Sequence, residues 1–304
     1  MTTLPVMKNL KKLPYGGASY VFDPNTINNV SKLINPGNVE SYINNLQIHQ
    51  TFVTNYRAWI GSSTKNNFKN LDKFPIAAFS QGTTEAFDKF YLKNCNRRFR
   101  CFRGEYMYHA ASWRNYFPTW RYLEDDEVGE HDAVVISMPF SDTGNIHSET
   151  YKILDACTKL NVPVLIDCAF FGICRDIEFD FDVPCITDVV FSLSKTFPVS
   201  HIRIGMRLTK TDDDDSLLVY HKTNYVNRLG AWLGNELITQ YSPDWNVNKW
   251  QEQQESFCKQ LSVEPSKTVI FGLGKDQWMQ YNRGTSTNRL CFANYLNNRM
   301  LPDD

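Results

Sequence analysis

A lysine that directly follows an apolar strand is the residue of this sequence best suited to covalent chemistry. Residues 188–194 (DVVFSLS) form an apolar, β-branched run, and Lys195 comes next. At the end of a buried strand the amine is desolvated, which lowers its pKa and favours a Schiff base with a carbonyl compound. Ser192 and Arg203 lie near enough in sequence to bind an anion beside it. Taken alone, however, a lysine after a strand is more often exposed at the surface.

Two further segments place polar groups after predicted strands. Gly82, Thr83 and Thr84 follow the strand FPIAAFS and begin a helix, whose N-terminal N–H groups and positive dipole suit a phosphate. Asp167 ends the apolar run VPVLID, where a buried carboxylate is costly unless it is paired. Each signal is weak alone, because a glycine–threonine turn is usually only a helix cap and a strand-end aspartate is as often a structural cap.

An arginine inside an apolar segment is the fourth candidate. Arg289 lies within NRLCFANY, so its guanidinium is expected to be buried. A buried cation needs an anionic partner. A substrate carboxylate bound by both arms of the guanidinium is one candidate partner, and an internal Asp or Glu is the other.

Strands and helices alternate through the middle of the chain. The runs 133–140 and 162–170 flank residues 147–161, whose apolar positions fall on one helical face, with Ser148 as the predicted N-cap. Such a β-α-β unit predicts parallel strands buried on both faces, and ligands of these sheets bind at the carboxyl ends of the strands. Further strands are predicted at 74–80, 188–194, 203–209, 268–274 and 287–296.

The predicted fold class is α/β, with a mostly parallel central sheet, helices on both faces and a small C-terminal α+β subdomain. We divide the chain into a large domain of residues 30–250 and a small domain in which residues 1–29 join residues 251–304. The acidic run 211–216 is predicted to be a solvated loop, because it lacks the ligand spacing and the glycine of a calcium site.

Composition argues against several classes of protein. The net charge of −1 gives no reason to expect nucleic acid or an anionic membrane as a partner. No apolar run reaches the ~18 residues that a membrane-spanning helix needs. Eight scattered cysteines without a CxxC pair predict free thiols in a reducing compartment, and hence a cytoplasmic protein. Metal binding by Cys168 and Cys174 is a weaker alternative to their being small buried core residues.

Taken together, the motifs between about residues 75 and 295 resemble those of the fold-type I pyridoxal-phosphate (PLP) enzymes, specifically the class I/II aminotransferases such as the aspartate and histidinol-phosphate enzymes. SLSKTFPVSHIRIG resembles that family's Ser-x-x-Lys with an arginine eight residues after the lysine, and FSQGTTEAF resembles its Gly-Ser/Thr-Thr phosphate turn. IDCAFFG resembles Asp-x-Ala-Tyr, and GEYMYH resembles Pro-x-Trp/Tyr-x-x-His. TNRLCFA resembles the C-terminal arginine segment. The combination is far more specific than any single motif.

The resemblance implies a role for each motif. Lys195 binds PLP as a Schiff base and acts as a general base at the substrate Cα, and Asp167 keeps the pyridine nitrogen protonated. Tyr106 stacks on the cofactor ring, with His109 beneath it near Asp167. Arg289 binds the substrate α-carboxylate. The cofactor phosphate is bound by Gly82, Thr83, Thr84, Ser192 and Arg203.

Two cofactor-binding positions depart from the family pattern. Phe170 stands where Asp-x-Ala-Tyr has its tyrosine, and Ser141 stands where Asn-Pro-Thr-Gly has its asparagine. Both replacements remove a hydrogen-bond donor to the cofactor O3′, which raises the pKa of the Schiff base. We therefore expect chemistry that is altered or weakened relative to a generic transaminase.

The resemblance implies a PLP-dependent enzyme that acts on the α-amino group or Cα of an amino acid, most simply an aminotransferase with a 2-oxo acid as its second substrate. One alternative is a lyase, decarboxylase, cyclase or carbon–carbon bond-forming enzyme on the same scaffold. Another is a non-catalytic binding protein. The resemblance also implies a homodimer with the site at its interface, where Tyr42 or Tyr56 would reach the partner's phosphate.

For several aromatic and glycine residues, the sequence does not decide between a role in the site and a structural role. Tyr15, Gly16 and Gly17 belong either to a substrate-side segment or to a plain turn. Trp113 and Trp120 either line the pocket or fill the core.

Overall fold

The computed structural model describes residues 18–116, 119–213 and 215–298. The strands, in chain order, are β1 (Asn67–Lys69), β2 (Ile76–Ser80), β3 (Arg98–Cys101), β4 (Arg121–Tyr122), β5 (Asp132–Ser137), β6 (Val164–Cys168), β7 (Glu178–Asp180), β8 (Ile186–Ser192), β9 (Gly205–Thr209), β10 (Glu264–Pro265), β11 (Phe271–Gly274) and β12 (Asn288–Cys291). The α-helices are α1 (Pro24–Leu33), α2 (Val39–Ile43), α3 (Ile48–Gly61), α4 (Gly82–Lys93), α5 (Met107–Tyr116), α6 (Thr150–Lys159), α7 (Ser216–Lys222), α8 (Arg228–Gln240) and α9 (Trp245–Leu261).

The central sheet has seven strands in the order β2-β9-β8-β6-β5-β3-β4. Every neighbouring pair is parallel except those of β9, which runs antiparallel to both β2 and β8. Because β9 is reversed, its first residue, Gly205, pairs with Ser80 and Ser192, the last residues of β2 and β8. The start of β9 therefore lies at the carboxyl edge of the parallel strands.

The predicted β-α-β unit is present as β5, α6 and β6, with β5 and β6 parallel. The prediction of Ser148 as the N-cap is wrong, because the N-cap is Glu149. A turn in which Thr150 N donates to His147 O at 3.1 Å precedes the helix and moves its start along the chain. β5 ends at Ser137 rather than at residue 140, consistent with Pro139, which has no N–H to continue a ladder.

Alternate residues of the central strands face opposite layers of helices, as the strand period of two requires. Val134 and Ile136 pack in one buried cluster with apolar residues of α3, α6 and α8. Ala133 and Val135 pack in another, with residues of α4 and α7. The expected fold class, a mostly parallel sheet with helices on both faces, is confirmed.

A three-stranded antiparallel sheet, β10-β11-β12, forms the C-terminal part of the fold. It shares a hydrophobic cluster with α9 and with Val21 near the start of the described chain. This packing places Val21 against α9 and the C-terminal sheet. The boundaries at residues 30 and 250 stay a prediction.

Residues 211–213 of the acidic run are exposed and lie outside helices and strands, as expected for a solvated loop, and Ser216 begins α7. Asp212 pairs with Lys222 at 2.7 Å, and Asp213 with Lys93 at 2.5 Å. Asp215 caps α7 by accepting hydrogen bonds from two backbone N–H groups of its first turn. These contacts are exposed ion pairs and a helix cap, which are compatible with a solvated loop.

The eight cysteines are free thiols, and all except Cys95 are buried. Burial raises the pKa of both Cys168 and Cys174 above the usual range. Within the described ranges, no cluster of three or more His, Cys, Asp or Glu side chains is arranged to bind a metal. No helix in these ranges is long and apolar enough to cross a membrane.

Candidate active site

A cavity of about 310 Å³ lies at the carboxyl edge of the central sheet. This volume is at the lower end of the range for small-molecule sites. Ten of the eleven residues predicted to form the site line this cavity. The eleventh, Gly82, lies next to the guanidinium of Arg203 and does not line the cavity. The predicted residues at the cavity wall are Thr83, Thr84, Tyr106, Ser141, Asp167, Phe170, Ser192, Lys195, Arg203 and Arg289.

One end of the cavity is built to bind an anion. Helix α4 begins there, and its N-cap residue makes no side-chain capping bond, so the first N–H groups of the helix are open to a ligand. Arg203 donates to Thr84 Oγ1 at 2.9 Å and to Ser200 O at 3.2 Å. Both acceptors are neutral, so a bound anion would balance the charge of the guanidinium. The hydroxyl of Ser192 lies at the same edge and donates to Ile204 O.

Gly82 is required at this end because no side chain fits. Its φ of +72° is in the left-handed region. A Cβ there would lie 2.3 Å from Arg203 Nη2, and the Gly82 backbone also approaches Gly205 closely. The glycine thus lets the start of α4, the start of β9 and the guanidinium meet.

Gly82→Ala is expected to lower the free energy of unfolding by about 1–2 kcal/mol for the backbone alone. It should also displace Arg203 and so weaken phosphate binding. Urea unfolding and titration with PLP measure the two effects. Gly61→Ala is the matched control, because nothing lies within 4 Å of a Cβ at that position. Equal PLP affinity of the two variants would contradict the role given to Gly82.

Lys195 lies in the turn after β8 and faces the cavity. Its amine donates to Ala18 O at 2.5 Å. Burial lowers the pKa of Lys195, and the charges of Arg289 and Arg203 lower it further, whereas Cys291 and, less strongly, Asp167 raise it. The neutral amine, which is the nucleophilic form, is therefore more accessible here than for an exposed lysine.

Asp167 is the buried carboxyl group of the cavity and ends β6. Burial raises the pKa of Asp167 to about 8, and the charge of Glu105 contributes to the rise. Ala169 N donates to Asp167 Oδ1 at 3.0 Å. This hydrogen bond favours the ionised form, but it offsets only part of the rise in the pKa. Because burial disfavours the charged carboxylate, a cation beside it is the partner that would stabilise its ionised form, and a protonated ring nitrogen is such a cation.

Arg289 extends from β12 into the cavity wall and is 2% exposed. Its Nη1 donates to Ser141 O at 2.5 Å, and its guanidinium lies 4.3 Å from the centre of the Phe271 ring. Burial lowers the pKa of Arg289, and the nearby Arg283 adds to the effect. An incoming carboxylate would relieve this repulsion.

The aromatic residues of the predicted motifs lie on or beside the cavity. Tyr106 is 41% exposed and its ring is nearly parallel to that of Tyr108. His109 is buried, 6.1 Å from Tyr106 between ring centres, and Tyr91 Oη lies 2.5 Å from its Nδ1. Burial lowers the pKa of His109 to about 3, so the ring is neutral. Phe170 packs edge-to-face on Phe271.

No protein-family model matches the chain, and no curated protein matches its sequence. Solved structures do match. The histidinol-phosphate aminotransferase of Clostridium acetobutylicum superposes with a TM-score of 0.64 at 14% identity, over 93% of this chain and 95% of that chain. The tyrosine aminotransferase of Leishmania infantum gives 0.64 at 14%, over 98% and 96%. The PLP-bound C-S lyase of Staphylococcus hominis gives 0.62 at 10%, over 96% and 91%.

The chain has the type I fold of PLP-dependent transferases. This confirms the predicted fold. At these identities the likeness concerns the fold, and the assignment of roles to residues depends on the site itself.

Several residues considered from sequence lie away from the cavity. Tyr56 is 1% exposed and packs in the core with Phe52, so its proposed contact with a partner's phosphate is wrong. Tyr42 packs against Trp232. Trp120 packs against Tyr122 and does not line the cavity. Tyr15, Gly16 and Gly17 lie outside the described residues, as does the side chain of Trp113.

Other residues of the site escaped prediction. Ser194 and Ser200 join the anion-binding end, where Ser194 N donates to Ser192 Oγ and Ser200 Oγ donates to Ser194 O. Ser194 was recognisable, because it immediately precedes the lysine within SLSK. Arg283 lies six residues before Arg289 in a turn without periodicity, and no sequence signal marked it.

Glu105 belongs to the segment GEYMYH, in which no sequence signal distinguishes it as a site residue. It accepts hydrogen bonds from Ser137 N at 2.8 Å and Ser137 Oγ at 2.5 Å, and Ser137 pairs in register with Asp167. Burial raises the pKa of Glu105 to about 7. Two carboxyl groups therefore stand at adjacent strand ends.

The cavity suits a ligand that carries a phosphate, a carbonyl and a basic ring nitrogen. The anion-binding end supplies cationic and hydroxyl groups, Lys195 supplies an amine, and Asp167 supplies a carboxylate. Arg289, which also lines the cavity, offers a second anion site. These donors fit PLP with a carboxylate-bearing substrate beside it.

Proposed function

We propose that this chain is a PLP-dependent enzyme that acts on the α-amino group or Cα of an amino acid, as an aminotransferase. The observation that carries the proposal is the placement of Lys195, Asp167, Arg203 and Arg289 around one cavity. Each of these groups is costly to bury alone, and each matches a different part of the cofactor or substrate.

PLP supplies an aldehyde that condenses with amines and a ring that withdraws electrons from the carbon next to the bound nitrogen. The anion-binding end of the cavity would bind its phosphate through the start of α4, the hydroxyls of Thr83, Thr84 and Ser192, and the guanidinium of Arg203. Phosphate at a helix N-terminus is favoured by both the open N–H groups and the helix dipole. These contacts fix one end of the cofactor.

Asp167 would hold a proton at the ring nitrogen of the cofactor. Without cofactor, burial raises the pKa of Asp167 to about 8. The positive charge of a protonated ring nitrogen beside it would lower that pKa, so that Asp167 is ionised and stabilises the proton on the nitrogen. Tyr106 would cover one face of the ring and orient it. Asp167 thus keeps the ring in its electron-withdrawing form.

Lys195 would bind the cofactor and, after the substrate amine displaces it, move a proton at the substrate Cα. Burial favours its neutral form, which a general base requires. Arg289 would bind the substrate α-carboxylate and orient the Cα–H bond towards the amine. Both residues line the cavity.

A lyase or other PLP reaction on the same scaffold is the second candidate, and one position favours it. Phe170 lines the cavity without a hydroxyl, so it donates no hydrogen bond to the cofactor O3′. Transamination needs the cofactor to pass between two forms, and loss of that contact alters its proton balance. The type I fold is also that of a C-S lyase, from Staphylococcus hominis.

We also propose a homodimer with the site at its interface, in a reducing compartment such as the cytoplasm. Tyr106 and Met107 support the interface, because they line the cavity and are 41% and 73% exposed. The free cysteines support the compartment.

Incubation of the PLP-loaded protein with a panel of amino acids, with and without a 2-oxo acid, tests the proposal. An aminotransferase is expected to form the 2-oxo product in one stoichiometric round and to turn over only when a second 2-oxo acid is added. Turnover without an acceptor would favour the lyase reading. Absence of any reaction across the panel, with PLP bound, would contradict an enzyme acting on amino acids.

A further inference from the structure

A second arginine lies on the cavity wall beside Arg289. Arg283 lies in the turn before β12, lines the cavity, and has a side chain that is 14% exposed. Its Nη1 donates to Ser141 O and its Nη2 to Glu105 O, both at 3.3 Å. The guanidinium is therefore oriented by two backbone carbonyl groups.

The two guanidinium groups converge on one atom. Arg289 Nη1 also donates to Ser141 O, at 2.5 Å. Like charges so close repel, and Arg283 accordingly lowers the pKa of Arg289. An anion bound between or beside the two guanidinium groups would therefore reduce their repulsion.

Asp142 is the carboxylate that pairs with Arg283, and this ion pair is long. Asp142 Oδ1 lies 3.5 Å from Arg283 Nη1, which is longer than the 2.7–2.9 Å typical of a charge-assisted hydrogen bond. Its other oxygen accepts a hydrogen bond from Thr285 Oγ1 at 2.5 Å. Because Asp142 pairs with Arg283 only at this longer distance, a carboxylate in the cavity would be a stronger anionic partner for that guanidinium.

The same place in the fold is where Ser141 departs from the family's Asn-Pro-Thr-Gly pattern. The shorter side chain removes an amide donor from the wall, and Arg283 brings its own donors to the carbonyl of that residue. We propose that Arg283 is a second ligand of the substrate α-carboxylate, acting with Arg289. This inference rests on the proposed function, and it names the carboxylate as the substrate group that both arginines bind.

Two stable conjugates test the inference without turnover. N-(5′-phosphopyridoxyl)-L-alanine carries the carboxylate, and N-(5′-phosphopyridoxyl)ethylamine is the same molecule without it. Their dissociation constants for the cofactor-free protein are measured by calorimetry. Arg283→Gln is expected to weaken the alanine conjugate about 10- to 100-fold, the loss of one charge-assisted hydrogen bond, and to change the ethylamine conjugate less than about threefold.

The controls separate a binding role from a structural one. Arg103→Gln removes an arginine that pairs with Asp125 away from the cavity, and it should leave both constants unchanged. Arg283→Lys keeps the charge without the planar fork and should recover part of the affinity for the alanine conjugate. Equal weakening of both conjugates, or of neither, in Arg283→Gln would overturn the inference. Failure of the unmodified protein to bind either conjugate would instead overturn the proposed function.

Discussion

Lys195→Ala is expected to abolish covalent attachment of PLP and to reduce turnover by about 10³-fold or more, within the range for loss of a general base. The amine lies in the cavity, where burial and the charges of Arg289 and Arg203 lower its pKa. No water-exposed lysine can replace an amine held at this position. Mass spectrometry of the borohydride-reduced protein and steady-state rates with the best amino acid of the panel measure the two effects.

Lys210→Ala is the matched control for this variant. Burial also lowers the pKa of Lys210, but its amine donates to Val183 O and lies over the Phe74 ring, outside the cavity. The control should keep both the covalent cofactor and the turnover. Loss of activity in both variants, or in neither, would argue against a specific role for Lys195.

Asp167→Asn is expected to weaken PLP binding by roughly 30-fold to several thousandfold, corresponding to the 2–5 kcal/mol lost when one partner of a buried charge pair is removed. An asparagine side chain keeps the size of the carboxylate but does not attract a proton to the ring nitrogen. The dissociation constant is measured by titrating the cofactor-free protein with PLP. Unchanged affinity would show that Asp167 does not meet the ring nitrogen.

Although Asp167→Asn weakens PLP binding, it is expected to stabilise the cofactor-free protein at neutral pH. The pKa of Asp167 is raised to about 8 in the folded protein, so between about pH 4 and pH 8 the folded state holds a proton that the unfolded chain has released. The contribution of protonated Asp167 to the free energy of unfolding is fully present below about pH 4. It is lost as the pH rises to about 8, by about 1.4 kcal/mol per pH unit. Asp167→Asn should therefore flatten the fall of the melting temperature between pH 5 and pH 8. An equal slope in both proteins would contradict the raised pKa.

The residues of the site that follow parallel strands were predictable from the sequence. Asp167 and the segment from Ser192 to Lys195 follow apolar runs, and the carboxyl ends of such strands meet at one edge. The start of α4 could be predicted in the same way from Gly82. In these cases local pattern and chain topology together fix where a side chain lies.

Residues positioned by packing over long distances could not be predicted. The burial of Tyr56 depends on α3 packing against α8 and the sheet, which its own helix does not reveal. The reversed direction of β9 is equally hidden in RIGMRLT, because strand propensity does not depend on direction. Arg283 donates to backbone carbonyl groups. Because every residue has a carbonyl group, the sequence does not indicate which residues accept these hydrogen bonds.

The most direct test of the account is to reduce the PLP-treated protein with borohydride and locate the cofactor by mass spectrometry of its peptides. One phosphopyridoxyl group per chain is expected, on Lys195. A protein that takes up no PLP, or that carries it on exposed lysines in place of Lys195, would contradict the account.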